Sequence, residues 1–280
     1  RLIAYPDNRD GLPVGFARLE AGIDPATRVP FPAQVGFTCA ACHTGHLEYK
    51  NVSIRFDGGP AMLDLGKFEP AIALSLAYTL KVPGRFDRFA DRIAKRRAGG
   101  LAGQDKKKLK AELEQTLNRI VITKVWEDQS TGQPHIEEGF GRLDALNRIG
   151  NQVFFEDLLP DDIATMSAAT TRVPKHLAVN FASRDAPVSF PPIWDTPSFL
   201  WSQYDASIFN ELVRNAGEAL GVAAKINMGG KDATQHFAST VHIPTLVEME
   251  KMLRGTDPPL NNPRSFNGLA APKWDDAARM

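Results

Sequence analysis

The sequence lacks the charge surplus typical of nucleic-acid-binding proteins and the long apolar runs typical of membrane-spanning proteins. Its 33 basic and 33 acidic residues balance to a formal net charge of zero, so no basic surplus indicates nucleic-acid binding. No apolar run approaches the roughly 18 residues that span a membrane. The longest, Ala71–Leu80, is interrupted by Ser75 and Thr79 and predicts a core helix instead. We therefore expect a globular protein with no nucleic-acid partner and no transmembrane segment.

Sequence motifs of several common enzyme classes are also missing. The chain has no G-x-S-x-G, no H-E-x-x-H, no Walker sequence and no G-x-G-x-x-G. Hydrolase, metalloprotease and nucleotide-binding functions therefore receive no support. With 43% apolar residues in 280, the chain can still bury a substantial core.

Cysteine occurs only twice, and both copies lie in Cys39-Ala40-Ala41-Cys42-His43. C-x-x-C-H is the attachment signature of haem c, in which two thioethers hold the porphyrin and the histidine ligates the iron. A C-x-x-C pair can also be a redox dithiol or half of a zinc site. Zinc would need two further ligands at suitable spacing, and a thioredoxin-like pair would lie between a strand and a helix; the sequence indicates neither. The motif thus predicts one covalent haem c on Cys39 and Cys42 with His43 as iron ligand, and no disulfide.

The compartment follows from this cofactor. Covalent haem attachment usually takes place outside the cytoplasmic membrane, yet no export signal begins at Arg1. We expect a periplasmic or secreted bacterial protein whose signal peptide is cleaved or outside this numbering.

Apolar periodicity predicts mostly helices. Helical spacing occurs at the following positions: Phe86–Ile93, Leu109–Ile120, Leu143–Val153, Phe209–Leu220 and Pro244–Leu253. Alternating patterns are scarce, and Asn51–Phe56 is the best candidate for one arm of a hairpin. The pattern predicts a mainly α, loop-rich fold with little β-structure, organised as one haem domain over residues 1–256. Residues 257–280, rich in proline and asparagine, are either a linker or a C-terminal arm.

The function of a haem depends on its sixth coordination position and on the polarity around it. Met62, in a glycine-rich loop, is a candidate sixth ligand, although a packing or surface role is the commoner use of such a methionine. Arg214, Asn215 and Glu218 share one helix and could hold haem propionates, cap a loop or face solvent. The basic runs at 95–97 and 106–108 could dock an acidic redox partner, but a solvated face explains such runs more often.

Several segments resemble the di-haem cytochrome c peroxidase superfamily, and most closely its rubber-oxygenase-like branch. The resemblance lies in the following stretches: Gly36–Gly45, Arg55–Ala61, Gly141–Asn147, Pro192–Pro197 and Arg214–Gly221. The haem motif is common to cytochromes c, whereas the later stretches are more discriminating. The order of these stretches along residues 36–221 is the one expected for the branch.

The resemblance implies a largely helical, loop-rich, exported protein whose N-terminal haem is the reactive one. In that branch the iron binds dioxygen opposite the proximal histidine in a pocket lined by aromatic residues, and the matching positions here are Trp194 and Phe209. A peroxidase would instead place a polar acid–base group over the iron.

The chain departs from the superfamily in having one C-x-x-C-H where the family has two. Either the second haem domain is on another polypeptide, or this sequence is a fragment of a longer protein, or this member works with one haem. We expect a haem-dependent oxidoreductase acting on dioxygen, peroxide or an organic substrate. The alternative is an electron-transfer cytochrome with a six-coordinate haem, either by itself or as a subunit of a multi-haem assembly.

Overall fold

A computed structural model describes residues 10–23, 30–31, 33–96, 100, 102–132, 136–194, 196–229 and 236–254, with the backbone of 265–266 and 269–270. The helices within these ranges are α1 (Leu65–Lys81), α2 (Arg85–Arg96), α3 (Gly103–Thr131), α4 (Ala145–Phe154), α5 (Lys175–Ala178), α6 (Glu211–Val222) and α7 (Ile243–Arg254). The predicted linker or arm, 257–280, lies outside the described residues apart from those two backbone pairs.

Twelve short strands are also present in the described ranges, and each pairs antiparallel with one other strand. The pairs are β1 (Phe16–Leu19) with β4 (Gln34–Phe37), β2 (Gly22–Ile23) with β3 (Pro30–Phe31), β5 (Thr44–Tyr49) with β6 (Val52–Asp57), β7 (Arg142–Leu143) with β8 (Val188–Ser189), β9 (Trp201–Ser202) with β10 (Ile208–Phe209), and β11 (Ser265–Phe266) with β12 (Leu269–Ala270).

These strand pairs correct the predicted fold class. A mainly α fold with little β-structure is wrong, because small sheets occur along the described chain and two of them flank Cys39–His43. Most of these strands have only two to four residues. So few positions do not produce a recognisable alternation of apolar and polar residues, and the sequence pattern therefore missed them.

The long helices and the longest hairpin lie close to their predicted positions. Asn51–Phe56 overlaps β6, which pairs with β5 from Thr44↔Asp57 to Tyr49↔Val52. The helix expected from Phe209 begins at Glu211 instead, because the Asn210 side chain accepts the Leu212 N–H at 2.8 Å and caps α6 there. Phe209 itself lies in β10.

The stretch Ala71–Leu80 is helical as expected, within α1, but it is not a core helix. Ile72, Leu74 and Tyr78 are 41%, 57% and 50% exposed. None of the described helices is long and apolar enough to cross a lipid bilayer.

The main described core lies around α3, away from Cys39–His43 in sequence. Its buried members are Ile122, Trp126, Phe155, Leu159, Ile163, Leu177 and Phe181. Trp126 is 1% exposed, and its indole N–H donates to Thr171 Oγ1 at 2.8 Å. This core joins α3, the end of α4 and α5 into one packed body, and the segment that leaves it at Phe181 leads to the candidate site.

Candidate haem-binding site

The Cys39–His43 motif forms a single tight turn. Cys39–Ala41 is a short 3-10 helix, and the His43 N–H donates to the Cys39 carbonyl at 2.9 Å. Both cysteines are free thiols and partly accessible. The motif does follow a strand, β4, contrary to the sequence-based expectation, but it continues into β5 rather than into the helix that a thioredoxin-like site would have. The turn presents both sulfurs and the imidazole from one compact piece of backbone.

Two glycine-containing segments hold this turn in place. The Gly58 N–H donates to the His43 carbonyl and the Ala61 N–H to the Cys42 carbonyl, each at 2.9 Å. On the other side, a Cβ at Gly15 would lie 2.4 Å from Ala41 Cα. Gly15 also has a φ of +89°, so a side chain there would meet both strain and a clash. The backbone of the motif is therefore enclosed on two sides.

The His43 ring is oriented by a residue 148 positions away. Its Nδ1 lies 2.8 Å from the Pro191 carbonyl oxygen, which can only accept, so Nδ1 carries the proton. The Nε2 atom is then the unprotonated nitrogen that can bind a metal. An imidazole that donates its second N–H to a carbonyl is the usual arrangement of a histidine ligand, because the bond fixes the tautomer and the ring orientation.

Burial adjusts the protonation of all three side chains. It lowers the pKa of His43, although the bond to Pro191 opposes this effect, and the ring is thereby favoured in its neutral, ligating form. Burial also raises the pKa of the Cys39 thiol and, with the nearby Cys39 and Glu218, raises that of Cys42 to about 11. Among the described residues, no group of three or more His, Cys, Asp and Glu side chains could hold a metal ion by itself.

The segment that brings Pro191 to His43 is fixed to α4 by three polar side chains that the sequence analysis did not assign. Asp144 Oδ2 accepts the Ala186 N–H at 3.0 Å, and the Asn147 amide donates to the Ser183 carbonyl at 2.9 Å. Asn151 makes two bonds of 2.8 Å with the Ala182 backbone. Asp144 is an N-cap residue type directly before α4, and this is the one sequence signal that could have pointed to a structural role for it.

A buried ion pair lies beside the motif. Arg214 of α6 donates to Glu250 of α7 at 2.7 Å and to the Thr196 carbonyl at 3.3 Å, and Asn215 also donates to Glu250. Arg214 is 7% exposed, so it does not face solvent. The Arg214 charge contributes to lowering the pKa of His43, which places it electrostatically close to the ring. Burial raises the pKa of Glu218, which in turn acts on both cysteines.

The two predicted aromatic site residues lie in different surroundings. Trp194 is half-buried, and its indole N–H donates to the Asp57 carbonyl at 2.8 Å. Phe209 is 55% exposed and packs against Trp201 with ring centroids 5.0 Å apart. The aromatic ring beside His43 is instead that of buried Phe190, at 6.3 Å between centroids. The distal position of Trp194 and Phe209 remains a prediction.

Two further candidates are placed at the surface. Met62 follows Ala61, whose N–H binds the motif, and its side chain is 72% exposed next to Gly141. In the basic runs, Lys106 pairs with Asp87 at 2.8 Å and Lys108 lies 3.9 Å from Glu112, so neighbouring acids partly neutralise that surface. Residues 97–99 lie outside the described residues.

The fold and site together define a protein of helices and small antiparallel sheets that presents one C-x-x-C-H turn and a carbonyl-oriented histidine. Its sequence is 45% identical over 275 residues to the uncharacterized protein y4iJ of Sinorhizobium fredii (strain NBRC 101917 / NGR234). That match includes 94% of this chain and 42% of the relative, so the chain spans less than half of the relative's length. No protein-family model matches the chain. No solved structure matches it either.

Proposed function

We propose that this chain is the haem c-binding part of an exported oxidoreductase that acts on dioxygen or peroxide, of the di-haem cytochrome c peroxidase superfamily and its rubber-oxygenase-like branch. The observation that carries the proposal is the hydrogen bond from His43 Nδ1 to the Pro191 carbonyl, next to two free cysteines on one turn. A solvent-facing histidine would need no such partner. A ligand histidine does, because its free Nε2 must stay neutral and correctly aimed.

The residues present fit a covalent haem. Cys39 and Cys42 are within one turn of each other, as two thioethers to one porphyrin edge require, and His43 follows directly. Bound haem would supply a redox-active iron for electron exchange and for binding a small ligand. The chain's own residues would anchor the ring through Cys39 and Cys42, bind the iron through His43 and exclude water with Phe190.

The partners follow from the same proposal. A single haem site needs an electron donor or acceptor, which would be a redox partner protein or a second haem domain. The y4iJ relative is more than twice as long as its matched part, so it has room for further domains. Export to the periplasm or beyond is part of the proposal, because haem c is assembled there. The substrate class is a small oxidant, with or without an organic molecule.

Production with a bacterial haem c maturation system tests the cofactor directly. We expect one haem per chain that resists acid–acetone extraction, measured as the pyridine haemochrome. C39A/C42A should lose all covalent haem, whereas C39A or C42A alone should keep one thioether with a shifted haemochrome band. H43A should keep the haem but change its coordination spectrum, and H46A is the matched control, since His46 bonds to Ser53 in the β5–β6 hairpin. A wild-type protein that remains colourless would contradict the proposal.

Carbon monoxide then distinguishes an oxygen-binding enzyme from the electron-transfer cytochrome. Rapid formation of a carbonyl spectrum in the reduced protein would show an accessible iron and support the oxidoreductase. A six-coordinate low-spin spectrum that carbon monoxide leaves unchanged would contradict the oxygen-binding form and favour electron transfer. Met62 is the first side chain to replace in that case, by M62L.

A further inference from the structure

Residues 191–194 contact the haem motif and its supporting loop at three successive points. The Pro191 carbonyl accepts the His43 Nδ1–H at 2.8 Å, and the Ile193 N–H donates to the Gly58 carbonyl at 2.9 Å. The Trp194 indole N–H donates to the Asp57 carbonyl at 2.8 Å. The loop being contacted is the one whose Gly58 N–H binds the His43 carbonyl. A closed circuit of bonds therefore runs from the His43 ring through 191–194 and Gly58 back to the His43 backbone.

Trp194 contributes to this circuit by the packing of its ring as well as by its hydrogen bond to Asp57. A Cβ at Gly58 would lie 2.5 Å from Trp194 Nε1, and Gly58 has a φ of +81°. Gly58 and Gly59 are both buried, and Trp194 Cζ2 lies close to the Gly59 Cβ position at 3.7 Å. The indole thus lies against two glycines, and a side chain at Gly58 would clash with it. The same ring therefore packs against the loop at Gly58 and donates to the Asp57 carbonyl.

We propose that Trp194 is a positioning residue of the proximal histidine: by locking residues 191–194 onto Asp57 and Gly58, it holds the Pro191 carbonyl against His43 Nδ1. This role differs from the distal, substrate-facing role that the family resemblance implies for Trp194. It rests on the proposed function, because it concerns how His43 would bind iron.

The expected chemical consequence concerns the basicity of the His43 ring. A strong Nδ1–H bond to a carbonyl increases electron donation from the imidazole, and this stabilises the oxidised iron. If 191–194 loosens, the bond lengthens, the ring becomes a poorer donor and the reduction potential rises. A residue on the distal side would instead change what happens to a ligand bound opposite His43.

The decisive variant is W194F, which keeps an aromatic ring against Gly58 but removes the N–H bond to Asp57. W126F is the matched control, because it also removes a 2.8 Å indole hydrogen bond, to Thr171, in the core around α3. Both variants are produced with haem and compared with the wild type by three measurements: haem content, reduction potential, and the iron–histidine stretching band after photolysis of the carbonyl complex.

We expect W194F to load haem normally, to have a higher reduction potential and to show an iron–histidine band at lower frequency. W126F should lower the unfolding midpoint while leaving both haem properties at wild-type values. Unchanged potential and band in W194F would overturn the proposal. So would a changed carbonyl stretch with an unchanged iron–histidine band, since that result places Trp194 on the distal side. Failure of the proposed function is distinct, because the wild type itself would then carry no covalent haem.

Discussion

At the scale of single residues, the environment of Glu156 disfavours the charged form of its carboxyl group. It begins the short 3-10 helix Glu156–Leu158 after α4. Burial, and next the negative charge of Glu127, raise the pKa of Glu156 to about 7, while Lys225 and Arg184 oppose the shift. The folded protein therefore retains a proton on this carboxyl group at pH values where the unfolded chain has lost it.

This shift predicts how stability depends on pH. The folded-state pKa is above the unfolded one, so the free energy of unfolding falls as pH rises from about 4.5 to 7 and stays lower above that window. E156Q keeps the shape and removes the titration. We expect E156Q to be more stable than the wild type by about 1–2 kcal/mol above pH 7, less than the full 1.36 kcal/mol per pKa unit because the side chain is only partly buried.

Urea unfolding from pH 4 to 8 measures this difference. The gain should disappear at the acid end, where Glu156 is protonated in both states. E114Q, on the exposed surface of α3, is the control and should show no comparable pH-dependent gain. An E156Q advantage that persists unchanged at pH 4 would contradict the burial argument.

At the scale of elements, the contact between α4 and α6 requires glycine at Gly221 but not at Gly217, one helical turn earlier. A Cβ at Gly221 would lie 2.8 Å from Ile149 Cγ1 and 3.3 Å from the Ile149 backbone nitrogen. One turn earlier, a Cβ at Gly217 would lie 3.5 Å from Ile149 Cδ1, an ordinary van der Waals distance. The two glycines are on the same face of α6, but only Gly221 is needed for close approach.

We therefore expect opposite effects from the same substitution. G221A should destabilise the protein by about 1–2 kcal/mol, since overpacking outweighs the better helix propensity of alanine. G217A should be neutral or stabilising by up to about 1 kcal/mol, because it gains propensity without a clash. Chemical denaturation of the two variants side by side checks this prediction. Equal effects in both would mean that the helices separate easily.

The elements also show what sequence patterns can and cannot predict. The long helices α3 and α7 and the β6 arm were expected from apolar periodicity, because each is long enough for its period to repeat. Phe209 was placed in a helix because it continues the period of α6. Asn210 instead caps the start of α6: it has a φ of +83°, and its side chain accepts the Leu212 N–H. The helix therefore does not extend back to Phe209, which lies in β10.

At the scale of the whole molecule, the candidate site is assembled from segments that are far apart in sequence. Cys39, Cys42 and His43 were predicted as haem-binding residues from the local sequence, because C-x-x-C-H is defined by spacing alone. The Pro191 carbonyl could not be predicted, since it is a backbone atom 148 residues from His43. Its position depends on the bonds of Asp144, Asn147 and Asn151 to 182–186, and therefore on how α4 packs.

That dependence predicts that the core around α3 and the Cys39–His43 turn unfold together. The core continues through Phe155 into α4, and α4 holds the segment that reaches Pro191 and His43. W126A removes a large buried side chain from the far end of this path, at an expected cost of about 3–5 kcal/mol.

In the haem-free protein, denaturation is followed by far-UV circular dichroism and by labelling of Cys39 and Cys42. Both midpoints should shift by the same amount in W126A, because one cooperative transition connects them. If the helical signal shifts while the cysteines stay protected to the wild-type midpoint, the turn is stabilised locally by Gly15 and Gly58, and the path through α4 contributes little to it.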